Sequence, residues 1–120
     1  MTNQPVATPI ATDQLPEVIT RFLAANVARD ADAAIQLCRP DAVVTDDDHT
    51  FRGHDNIRDW VANAASEFTY TTELTSAGRL DDTHYDAIHH LEGNFPGGVA
   101  DLHFRFALRD GLIETLTIEP

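Results

Sequence analysis

The chain has 120 residues, enough for one domain and one core, and its 42% hydrophobic share is that of an ordinary globular protein. Eight basic against 20 acidic residues leave a formal charge of -12, which repels phosphate backbones and anionic lipid, so neither nucleic acid nor a membrane surface is an expected partner. A single cysteine, Cys38, rules out an intramolecular disulfide and fits a reducing, cytoplasmic setting, and no apolar run approaches membrane-spanning length.

Residues 1–12 lack both a basic n-region and an apolar h-region and read as a disordered tail; residues 13–120 read as the folded domain. Thr12 or Asp13 is placed to cap a first helix, with Pro16 tolerated in its first turn. Leu15, Val18, Ile19, Phe22, Leu23 and Val27 then recur at helical spacing and form one buried stripe. Asp30-Ala31-Asp32 restarts a second helix carrying Ala34, Ile35, Leu37 and Cys38, which Pro40 ends. On that stripe Cys38 is a buried structural thiol, since no charge partner stands near to activate it.

Ala42 to Asp46 reads as a strand, and Asp46-Asp47-Asp48 as its exit into a turn. Phe51-Arg52 makes a short return strand before Gly53. A third helix follows from about His54, with Ile57, Trp60, Val61 and Ala64 on one face. From Glu67 the period changes to two: Phe68, Tyr70, Thr72 and Leu74 alternate with polar residues. Tyr85 to Phe95, Ala100 to Leu108 and Leu112 to Ile118 are three further strands, the last two joined by a turn at Arg109-Asp110-Gly111. Helices first and a strand meander last make an α+β plan, three helices covering one face of a curved antiparallel sheet.

Phe95-Pro96-Gly97-Gly98 reads as a tight turn with Pro96 and Gly97 at its centre, which opposes Leu91 to Leu102 and His89 to Phe104. Opposed residues share a face. Tyr85, Ala87, His89, Leu91, Leu102, Phe104 and Phe106 then form the apolar, helix-covered face. Ile88, His90, Glu92, Asp101, His103 and Arg105 form the outer one. His89 is thereby singled out among six histidines. It is either a core-edge ring bonded to backbone or a pocket acid, base or donor.

The inward residues of the Ala42–Asp46 strand are Ala42, Val44 and Asp46. Asp46 either caps the following turn or serves an apolar pocket as a general base. Trp60 is either core or ligand wall, and Tyr70 and Tyr85 can each turn a hydroxyl inward. The run Asp46-Asp47-Asp48-His49 makes no metal site, because adjacent extended carboxylates point in opposite directions. Gly93 to Gly98 makes a turn, not a phosphate loop.

Three features occur in order: Asp-Ala-Val-Val-Thr-Asp at 41–46, Phe-Arg-Gly-His-Asp-Asn-Ile at 51–57, and a four-strand meander ending Asp110-Gly111-Leu112-Ile113. In this the chain resembles the SnoaL-like branch of the nuclear transport factor 2-like superfamily, over about residues 13 to 119. The resemblance implies a cone with a deep pocket for a small, mostly apolar organic molecule, lined by Phe22, Trp60, Tyr70, Tyr85, Phe104, Phe106 and Leu116. It implies no cofactor and a homodimer through the outer sheet face. It lays Asp46 on the general base of ketosteroid isomerase, with His89 as partner in an isomerase, cyclase or lyase step. That enzyme's oxyanion-binding tyrosine falls on Phe22, and its protonated aspartate near Phe104. Two phenyl rings in place of donors argue against steroid isomerisation by that route. The epoxide hydrolase arrangement needs an arginine between two pocket carboxylates, and Arg105 faces outward. A non-catalytic ligand-binding or dimerisation module is the alternative.

Overall fold

A computed structural model describes residues 7–63 and 69–120. Its elements in chain order are β1 (Thr8–Ile10), α1 (Glu17–Val27), α2 (Ala31–Gln36), β2 (Cys38–Asp46), β3 (His49–Arg52), α3 (Gly53–Asn63), β4 (Tyr70–Asp81), β5 (His84–Gly93), β6 (Val99–Arg109) and β7 (Leu112–Glu119). Three helices pack on one seven-stranded sheet of order β1-β4-β5-β6-β7-β2-β3, antiparallel except for the β2–β7 pair. The expected α+β plan is the observed one. Ala64 and Phe68, which the helix and strand patterns had included, lie outside the described residues.

Of the segment read as a tail, residues 1–6 lie outside the described residues and residues 8–10 form a strand. Thr8–Ile10 pair with β4, Pro9 opposite Gly78, and Thr12–Gln14 make a 3-10 turn. The expected helix at Thr12 does not run on, because a residue before proline is driven out of the helical region. Leu15 is extended (ψ 143°) ahead of Pro16, and α1 starts at Glu17.

Asp30 caps α2 as its spacing implied, its carboxylate accepting from the Ala33 N–H at 3.2 Å. Cys38, however, is the first residue of β2, not part of the helix. Parallel pairing with Ile113 captures the chain there, and Ile113 N–H donates to the Leu37 carbonyl at 2.9 Å. Pro40 lies within β2, in the irregular stretch between Cys38 and Val43 where the ladder with β7 shifts, as a residue without an N–H must.

The β5–β6 hairpin has the expected faces and a register displaced by two. Leu91 opposes Ala100, His89 opposes Leu102 and Ala87 opposes Phe104. The Phe95–Gly98 turn exists, with Gly98 N–H on the Phe95 carbonyl at 3.0 Å and Gly97 at φ 88°. Asn94 is drawn away to β4, its N–H on the Thr69 carbonyl and its side chain accepting from the Thr69 N–H. Gly93, not Phe95, therefore meets Gly98 across the hairpin. A shift of two keeps parity, so no side chain changes face.

The core gathers Ile19, Phe22, Ile57, Phe106, Ile113 and Leu116 between helices and sheet. Phe22 meets Phe106 edge-on at 5.9 Å and stacks on Trp60 at 6.5 Å. Val27, expected in the buried stripe, is 63% exposed at the last residue of α1, where the helix has run past the sheet.

Candidate functional site

β2 alternates Ala42 and Val44 into the core and delivers Asp46 as its last inward residue. Asp47 and Asp48 follow with φ of 49° and 65°, the left-handed pair that a tight hairpin needs, and β3 returns antiparallel. α3 starts directly after β3 and is pinned to β2 by a 3.0 Å contact between His54 Nε2 and the Cys38 carbonyl. Two turns along α3, Trp60 arrives over the strand end. Its Nε1–H donates to Asp46 Oδ2 at 3.0 Å. Among the described residues no side chain holds Asp46 Oδ1.

His89 projects from the middle of β5 and is only 5% exposed. Its ring lies 4.5 Å from that of Phe104. Nδ1 is enclosed and has no hydrogen bond of good geometry; the Ala87 carbonyl is the polar group beside it. Burial pushes the imidazole pKa below 6.5, and the Ala87 carbonyl offsets this in part. The ring is therefore neutral at pH 7, and by elimination Nε2 is the nitrogen that can meet a ligand.

Asp46 and His89 share a cavity of about 630 Å³ that lies between the helices and the sheet. Trp60, Tyr70, Phe95 and Phe104 supply aromatic wall, and Leu23, Val61, Leu91, Leu102 and Ile118 aliphatic wall. Asn26, Arg29, Asp47, Thr69, Thr72 and Glu119 supply the polar lining. Glu119 is ion-paired to Arg105. Arg29 Nη1 donates to the Ala62 carbonyl at the end of α3, at 3.5 Å.

Of the residues singled out in the sequence, Asp46, His89, Trp60, Tyr70 and Phe104 line this cavity. Phe22, Phe106 and Leu116 do not: all three are buried at the filled end of the cone, where the Phe22–Phe106 contact leaves no room. Tyr85 borders a separate hollow of about 450 Å³ beside His84 and Arg105. Arg105 lies on the outer face and faces Asp86 across the hairpin. The sequence reading missed Asn26, Arg29 and Phe95. Nothing in periodicity marks a helix end or a displaced turn residue as cavity wall.

The chemistry available is the Asp46 carboxylate and the His89 imidazole, within aromatic and aliphatic walls that also carry polar side chains, Asp47 and Arg29 among them. Phe104 adds a phenyl ring, which donates no hydrogen bond. Among the described residues no three His, Cys, Asp or Glu side chains converge on a possible ion. No described helix is long and apolar enough to cross a membrane. Cys38 is buried with Sγ 3.5 Å from the Ala34 carbonyl, and burial pushes its thiol pKa up to about 12.

The family model for the SnoaL-like domain matches residues 19–115. No curated protein matches the chain. Among solved structures, a candidate polyketide cyclase from Sinorhizobium meliloti is 27% identical with a TM-score of 0.82, covering 92% of this chain and 100% of that one. A protein with a ketosteroid isomerase-like fold from Catenulispora acidiphila, in complex with trimethylamine, is 20% identical at a TM-score of 0.74, covering 88% and 85%. RV0760c from Mycobacterium tuberculosis, in complex with estradiol-17β-hemisuccinate, is 14% identical at 0.69, covering 86% and 90%.

Proposed function

The chain belongs to the SnoaL-like domain family, and from that premise we propose that it takes a small, mostly apolar organic molecule into the cone cavity, where Asp46 accepts a proton in an isomerase, cyclase or lyase step. The observation that carries this reading is the half-held carboxylate. Trp60 fixes one oxygen of Asp46, and the residue borders a cavity whose walls are mostly apolar. A base positioned by a rigid donor loses little freedom on meeting its substrate. Neutral His89, on the same cavity, serves as the partner that passes or receives the proton. No organic cofactor enters this scheme. Fold relatives in complex with a small amine and with a steroid ester support ligand binding in general.

The test begins with native mass spectrometry of the purified protein to identify a retained small molecule, followed by turnover of that compound. Asp46→Asn is expected to lower turnover by at least about 100-fold, the usual worth of a general base. Unchanged turnover in that variant removes Asp46 from the role.

A second reading is ligand binding without turnover. Phe104 favours it, since it gives the cavity wall a phenyl ring that donates no hydrogen bond to a developing oxyanion. It predicts binding that survives Asp46→Asn and a ligand recovered unaltered. In either case we assign the outer sheet face to a second copy of the chain. That face carries the His90–Asp101 and His103–Asp86 pairs, each at 2.7 Å, and sedimentation equilibrium tests the dimer.

A further inference from the structure

The charge around the cavity leans negative. Asp46 and Asp47 line it, and among the described residues the lining guanidinium is Arg29, an exposed cation whose Nη1 donates to the Ala62 carbonyl. Glu119 is neutralised by Arg105. Helix α1 ends at this opening, where Asn26 and Val27 close it. A helix C-terminus carries a negative dipole end, so it adds to the carboxylates. Among the described residues no buried cation stands against these. His89 is only 5% exposed, and with its proton on the enclosed Nδ1 beside the Ala87 carbonyl it can accept an N–H through Nε2. The walls are aromatic, the surface a cation prefers when it leaves water.

We propose that the molecule this cavity selects is a protonated amine on an apolar body, held by Asp46 and Asp47 at the opening with His89 as a further acceptor, and that carboxylates are rejected. This rests on the ligand-binding part of the reading above and not on proton transfer by Asp46. A carboxylate entering here would shed water opposite two like charges and the negative end of α1. An ammonium meets an acceptor at each of those points.

Three probes sharing one ring system separate charge from shape: 1-naphthylmethylamine, 1-naphthylmethanol and 1-naphthoate. Each is titrated into the full chain at pH 7 in 20 mM and in 150 mM salt, following the Trp60 indole and His89 ring signals by NMR. The amine is expected to bind at least about tenfold tighter than the carboxylate at low salt, a ratio well within what two nearby carboxylates supply. Asp47→Asn should narrow the gap to within a few-fold. Asparagine tolerates the left-handed backbone at this position, so the turn survives the change. Asp46→Asn should narrow it independently. Equal or tighter binding of the carboxylate overturns the charge preference alone, as does an amine advantage that survives both variants. Failure of all three probes to bind overturns the ligand-binding reading together with it.

Discussion

Replacing Trp60 with phenylalanine isolates the contact on which the site geometry depends. Trp60→Phe keeps a six-membered ring between Phe22, stacked at 6.5 Å and 11°, and Phe51 at 6.2 Å. It removes the N–H that Asp46 Oδ2 accepts at 3.0 Å. A hydrogen bond to a carboxylate contributes roughly 1.5–3 kcal/mol. Asp46 borders a cavity and regains water when the donor goes, so the lower end, about 1.5 kcal/mol, applies. A chain of this length gains about 0.25 kcal/mol/K of unfolding entropy, so that loss lowers Tm by about 6 °C. The pyrrole half of the ring also leaves a gap, which adds to the total. A double-mutant cycle with Asp46→Ala removes this packing contribution. Thermal and urea unfolding of the four proteins should give a coupling of about 1–2 kcal/mol. A coupling within about 0.5 kcal/mol of zero refutes the claim that Trp60 holds Asp46, because independent sites add to that precision.

Four further outcomes follow from burial, hydrogen bonding and backbone space. His89 should titrate by NMR below 6.5, because burial disfavours its cation. The unfolded chain then takes the proton first, so stability is lost as pH falls from 6.5 through the lowered folded value; His89→Gln should flatten that acid limb. His90 has the opposite sign. Its hydrogen bond to Asp101 raises its pKa, so its contribution is present below 6.5 and lost as pH rises through the raised value. Cys38, with its thiol pushed up to about 12, should resist a thiol reagent at pH 8 until the chain unfolds; reaction at the rate of a free thiol would contradict its burial. Gly93→Ala would set a Cβ 2.4 Å from the Thr69 carbonyl and 2.5 Å from Tyr70 Cβ, so backbone must move. A loss of about 1–3 kcal/mol in urea unfolding is expected, and a neutral result would mean the β4–β5 end is looser than its register implies.

The faces of the sheet were legible because a two-residue period is strict. Once His89, Leu91, Leu102 and Phe104 were set on one side, a register error of two could not move them. What was illegible was distance along the strand, since it turned on Asn94 choosing Thr69 over its own hairpin. The three helices were legible by period and by Asp30, whereas the first boundary needed the effect of Pro16 on Leu15. Periodicity says which side chains point inward and nothing about how deep they lie. Phe22 and Phe104 therefore looked equivalent as cavity wall, though only Phe104 is one. The Trp60–Asp46 bond was hidden for another reason. It spans 14 residues across a turn whose two left-handed residues are both aspartates, not the usual glycine.

These depths tie the core to the candidate site. Phe22 is fully buried, its edge contact with Phe106 fixes its plane, and its stack with Trp60 hands that orientation on to the indole. The indole N–H then aims at Asp46 without any polar residue beneath it. A carboxylate at a strand end would otherwise sample several rotamers and spend them against its own turn. The aromatic column thus does through packing what an outer shell of hydrogen bonds does in other sites. The phenyl ring of Phe22 is the base of the column that positions the Asp46 carboxylate.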